Sequence, residues 1–135
     1  MKNLLQRVLS PIVAVSLLFA FSAFNANASG VTIDVAPNVL NIQSNSVVVT
    51  VHTDIAYSAV VGSSVYINGV AIDWWKADNQ GNFVAKFDSD EVKTLDGLLI
   101  GDYNELVLSG YTTYGESFIG SQEILVIDNK PKGKN

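Results

Sequence analysis

Along most of this chain apolar and polar side chains alternate with a period of two. That is the spacing of a strand with one face on a core and the other toward water. Val31, Ile33 and Val35 alternate with Thr32, Asp34 and Ala36 until Pro37-Asn38 breaks the run. This predicts a first edge strand, because proline cannot donate to a sheet ladder. Val39–Ile42 resumes briefly, and Val47–Thr53 carries β-branched residues at nearly every position, the mark of a central strand. In Ser64–Ile72 the residues Val65, Ile67 and Val70 turn inward, and Asn68-Gly69 offers a two-residue hairpin turn that divides the run. Asn82–Phe87 places Phe83, Ala85 and Phe87 on the core and Asn82, Val84 and Lys86 toward water. Tyr103–Gly110, with Leu106 and Leu108 on one face, and Ser117–Asp128, with Phe118, Ile124 and Val126 facing in, complete the set. The one helical signal is Asp88–Leu95, where Asp88 caps and Glu91 answers three residues later.

About seven short strands, turn signals every 8–12 residues and no long helix predict an all-β chain, a single immunoglobulin-like β-sandwich of antiparallel strands. The Cys…Trp…Cys framework of antibody domains is missing, since the chain has no cysteine. Hydrophobic burial must therefore stabilise the domain without disulfides.

The N-terminus reads as a cleavable signal peptide. Lys2 and Arg7 precede an apolar run from Val8 to Phe24, and Ala26-Asn27-Ala28 supplies small residues for cleavage after Ala28. The run is interrupted by Pro11 and is short for a permanent span of about 20 residues. The expected organisation is a signal peptide over 1–28, the sandwich over 29–129 and a disordered basic tail over 130–135. The expected localisation is secreted or periplasmic, with no membrane insertion once the signal is removed.

Cleavage would also change the charge. The signal holds two of the eight basic residues and none of the thirteen acidic ones, leaving six against thirteen, a net charge of −7. Three of those six lysines, Lys130, Lys132 and Lys134, lie in the tail. An acidic body without arginine excludes nucleic acid as the expected partner, because phosphate binding needs clustered Lys and Arg.

The ordered series Ile33-Asp34-Val35-x-Pro37-x-x-Leu40-Asn41-Ile42-x-Ser44, Ser64-Val65-x-Ile67-Asn68-Gly69, Val84-x-Lys86-Phe87-Asp88 and Phe118-x-Gly120-Ser121-x-x-Ile124-x-Val126-Ile127 spans most of the body. It resembles the immunoglobulin-like β-sandwich modules of exported bacterial and archaeal surface proteins. The resemblance implies a non-catalytic module. Many such modules carry an acidic, glycine-containing loop before the strand of Lys86, suited to calcium. Here that loop, Lys76–Asn82, has one carboxylate.

Candidate chemistry is sparse. His52 is the only histidine, it sits at an outward position, and no nucleophile turn accompanies it, so a catalytic triad has no basis. Zinc and copper lack ligands, whereas calcium accepts oxygens. Asp78, Asn79 and Asn82, with Asp73 nearby, are the candidate calcium ligands. Adjacent strand residues face opposite ways, so one of Trp74 and Trp75 packs inward and the other is open to a sugar ring or a protein partner. Tyr111 and Tyr114 support them as binding candidates. The expectation is a non-catalytic exported binding or adhesion module at the cell surface or in the periplasm, engaging a protein or a glycan, with no cofactor required. Two alternatives stand beside it: a carbohydrate-binding sandwich using exposed aromatics, and an assembly subunit that pairs through an edge strand.

Overall fold

A computed structural model of the chain describes residues 28–130. The expected signal peptide and basic tail, but for Ala28 and Lys130, lie outside the described residues. In chain order the described residues form β1 (Ser29–Gly30), β2 (Ile33–Ala36), β3 (Val39–Asn41), β4 (Val48–Ala56), two 3-10 turns (Tyr57–Ala59 and Gly62–Ser64), β5 (Tyr66–Ile67), β6 (Val70–Ala71), β7 (Trp74–Ala77), β8 (Asn82–Asp88), α1 (Ser89–Lys93), β9 (Asp102–Tyr111) and β10 (Ser117–Ile127).

These strands make two sheets. Sheet I runs β1-β10-β9-β5-β6, with β3 also on β10; sheet II runs β2-β4-β8-β7. Taking β2, β4, β8 and β7 as A, B, E and D, and β5, β9 and β10 as C, F and G, the pairing is that of an immunoglobulin-type sandwich. The strands number ten among the described residues, against about seven expected, because β1 and β7 are additional and the Ser64–Ile72 run is divided. Asn68 (φ 47°) and Gly69 (φ 84°) make the primed turn that splits β5 from β6. The first segment also changes sheets at the cis Ala36–Pro37 bond, so β2 pairs with β4 in sheet II and β3 with β10 in sheet I. The β1 and β3 pairings with β10 are parallel, a departure from the all-antiparallel expectation.

The core lies between the sheets and is built from the inward-facing alternates: Val35, Val49 and Val51, Phe83, Ala85 and Phe87, Val65 and Ile67, Leu106 and Leu108, and Phe118, Ile124 and Val126. Each large side chain so buried contributes about 1.5–3 kcal/mol. One expectation fails. Val84 faces outward, yet it is fully buried. Its row across sheet II is Asp34–His52–Val84–Lys76, so a ring and a lysine stem flank it and exclude water.

Local polar bonds fix the seams. Asp88 caps α1 by accepting from the Asp90 amide at 2.8 Å, as its position before the helix requires. Gln122, on the inner side of β10, accepts from the Val35 amide at 2.7 Å, tying the edge of sheet II to sheet I. Gln122→Met should leave that amide without its acceptor and lower stability by about 1–2 kcal/mol, read from urea unfolding. The Ser89 hydroxyl is buried with no hydrogen-bond partner among the described residues. Ser89→Ala should therefore be neutral or stabilising by up to about 1 kcal/mol, against the usual cost of removing a buried polar contact.

Candidate functional site

The four aromatic residues singled out above do not form one platform. Trp74 and Trp75 are neighbours on β7, the open edge strand of sheet II, and the pleat sends them to opposite faces. Trp75 pairs with Ala85 on the inner side. Its indole lies against Gly62, where an added Cβ would come within 2.2 Å of the ring. Trp75 thus closes the flank of the sandwich while remaining 38% exposed. Trp74 pairs with Lys86 on the outer face and is 45% exposed. Tyr111 ends β9 on the outer face of sheet I, the opposite side of the molecule, and Tyr114 is 89% exposed at the tip of the β9–β10 turn.

The outer face of sheet II is organised by cross-strand register. One row reads Ala36–Thr50–Lys86–Trp74, the next Asp34–His52–Val84–Lys76. The Lys86 ammonium donates to the Thr50 hydroxyl at 2.8 Å and stands 5.4 Å from the centroid of the Trp74 ring. A cation over an indole is attracted by the ring quadrupole, so Lys86 and Trp74 hold each other in place. Among the described residues neither Lys76 nor Lys86 forms an ion pair. Partial burial beside the indole, and then the neighbouring Lys76 charge, hold the Lys86 ammonium below the usual lysine range.

The sign of that shift sets a pH dependence. Between the folded value and the ordinary one the unfolded chain binds more protons, so this contribution to stability rises with pH through that window. Lysine side-chain NMR should find Lys86 titrating below an ordinary lysine. Lys76→Met should move it part of the way back, since the larger cause, burial, remains. No movement in that variant would show that the two charges do not interact.

The calcium candidates are divided. Asp78 closes the β7–β8 turn by accepting from the Gln80 and Asn82 amides at 2.8 and 2.9 Å. Its amide in turn donates to the Asn82 carbonyl, and Gly81 adopts φ 79°. Asp73 is at the other end of β7, five extended residues or roughly 16 Å away. Among the described residues no group of three or more His, Cys, Asp or Glu side chains is placed to hold a metal ion. His52 is exposed on the sheet II face, and no described hydroxyl is hydrogen-bonded to it.

A second surface was missed by the sequence reading. Tyr66, Ser109, Tyr111 and Ile119 line a groove of about 200 Å³ on the outer face of sheet I, with Ala28 at its rim. The register Tyr66–Ser109–Ile119 brings them together. Lys86, Lys76 and Thr50 were missed as well. The signal for them was the hairpin at Asp78–Gly81, whose turn length sets Trp74 opposite Lys86. Among the described residues no helix is long and apolar enough to cross a membrane.

No protein-family model matches the chain, and no curated protein matches it. The solved structures similar to it include the following two. One, from a study of host-cell-surface retention of a 1.5-MDa bacterial ice-binding adhesin, is 18% identical with a TM-score of 0.43. That match covers 77% of this chain and 33% of that one, so the present chain spans about a third of its length. The other, a bacterial immunoglobulin-like domain from the M. primoryensis ice-binding adhesin, is 18% identical over 76% of this chain and 99% of that one, with a TM-score of 0.42.

Proposed function

We propose that this protein is a non-catalytic, exported binding module whose ligand face is the outer side of sheet II at Trp74. The observation that carries this reading is a half-exposed indole fixed on a rigid sheet beside a lysine with no acidic partner. An exposed indole is costly to keep in water and is a favoured anchor for sugars and for protein partners. The lone His52 lies on the same face. A glycan array and a pull-down with the wild type, Trp74→Ala and Trp75→Ala test the reading. Binding lost in Trp74→Ala and kept by folded Trp75→Ala supports it; silence of the wild type in both assays sinks it.

The open β7 edge favours one further reading, assembly by strand pairing, because all four of its residues are exposed. Size-exclusion chromatography distinguishes them: a concentration-dependent dimer lost on substituting Ala77→Pro supports assembly, and a monomer at all concentrations removes it.

A further inference from the structure

We infer that the Trp74 face takes an anionic sugar, a uronate-type glycan whose ring stacks on the indole and whose carboxylate lies between Lys76 and Lys86. This inference rests on the binding reading above and names its ligand class.

Charge is unevenly spread along the chain. All thirteen acidic residues of the chain lie between Asp34 and Asp128, where there are only three lysines. One of the three, Lys93, donates to the Ser44 carbonyl at 2.7 Å. The other two are diagonal neighbours on adjacent strands, since Lys76 pairs with Val84 and Lys86 is two residues further along β8. That spacing is roughly 7–8 Å between side-chain origins. In a chain with acids in such excess, two adjacent cations would be expected to find a carboxylate. Neither does among the described residues. Asp88, the nearest acid along β8, caps α1, and Asp78, two residues beyond Lys76, accepts the Gln80 and Asn82 amides of its turn. Asp34 stands at the far end of the Lys76 row, three strands across.

Two like charges held side by side, one of them partly desolvated, repel each other. An anion placed between them relieves that repulsion with charge-assisted hydrogen bonds from both ammonium groups. The Trp74 ring beside them supplies a flat apolar plate. A pyranose presents its C–H face to such a plate while a ring carboxylate projects from its rim, which here is the side of the lysines. A neutral sugar would use the plate and leave the pair unrelieved. A groove lined by Thr32, Asp34, His52 and Asn82 borders the same face, and Trp74, Lys76 and Lys86 stand outside it. The flat indole suits a sugar ring, whereas an acidic peptide would add to the open β7 edge, an outcome the test below includes.

The test is titration calorimetry of the protein, in calcium-free buffer, with a hexameric oligogalacturonate and with its methyl ester, which keeps the ring and removes the charge. The acid form should bind about tenfold more tightly than the ester, as the loss of charged hydrogen bonds implies. Lys76→Met should weaken the acid form by about tenfold and leave the ester unchanged, while Lys76→Arg restores it. Lys130→Gln, which changes the net charge equally at a distant position, should have no effect. Trp74→Ala should abolish both. Equal binding of acid and ester, lost in Trp74→Ala, would overturn the anionic class and leave the binding reading standing. Binding of neither oligosaccharide, or preference for an acidic peptide, would overturn the sugar assignment itself.

Discussion

Gly120→Ala is expected to destabilise the protein by about 3 kcal/mol, the upper part of the range for overpacking a tight site. Local propensity argues the other way, because a glycine inside a strand costs roughly 0.5–1 kcal/mol relative to alanine. Packing decides the sign. Gly120 is on the inner side of β10, where the chain crosses from β1 to β2 on its way between the sheets. A Cβ there would stand 2.5 Å from the Val31 carbonyl oxygen and 2.9 Å from side-chain carbons of Val31 and Ile33. The nearest obstacle is backbone, already committed to the ladder through the Val31 amide bond to Ile119. It cannot swing aside as a side chain would. For a domain of this size the loss corresponds to a melting temperature lower by about 10–20 °C. An unchanged or raised melting temperature would mean that the crossing is looser than described.

The second large effect separates the two tryptophans. Trp75→Ala should cost about 2–3 kcal/mol, somewhat below the range for a fully buried aromatic because the ring is partly open. It uncovers Gly62 and opens the flank between the sheets. Trp74→Ala should cost about 1 kcal/mol, the loss of its contact with Lys86 and of limited area. Its binding effect should be the reverse: large for Trp74→Ala and small for Trp75→Ala under conditions where the latter is folded. Gly62→Ala gives an independent check. It should displace the Trp75 indole, shift tryptophan emission to the red and leave Lys86 beside Trp74. If both tryptophan variants lose stability equally, the division of roles is wrong.

Much of the fold was legible because it is written in a period of two. The inward sets of β4, β8, β9 and β10 are Val49 and Val51, Phe83 to Phe87, Leu106 and Leu108, and Phe118 to Val126. Each follows from alternation alone. The Asn68-Gly69 turn and the Asp88 cap were equally readable, since both are local chemistry. What escaped depends on partners distant in sequence. The two-residue strand at Ser29–Gly30 has no pattern of its own and exists because β10 offers it an edge. Val84 looked solvent-facing because its cover comes from His52 and Lys76 on neighbouring strands.

The candidate site was half legible for the same reason. Alternation correctly sent Trp74 and Trp75 to opposite faces. It could not say that Tyr111 belongs to the other sheet, nor that Lys86 would sit over the Trp74 ring. Both facts follow from sheet assignment and register, which a single strand does not encode.

Where a ligand touches the molecule decides between the two faces. Backbone amide NMR shifts, followed during titration with the glycan or protein retained most strongly, would locate it. The expected result is a contiguous set on sheet II: Thr50, Trp74, Lys76, Val84 and Lys86, with sheet I unmoved. Shifts centred instead on Tyr66, Ser109, Tyr111 and Ile119 would place the ligand on the opposite face and contradict the account.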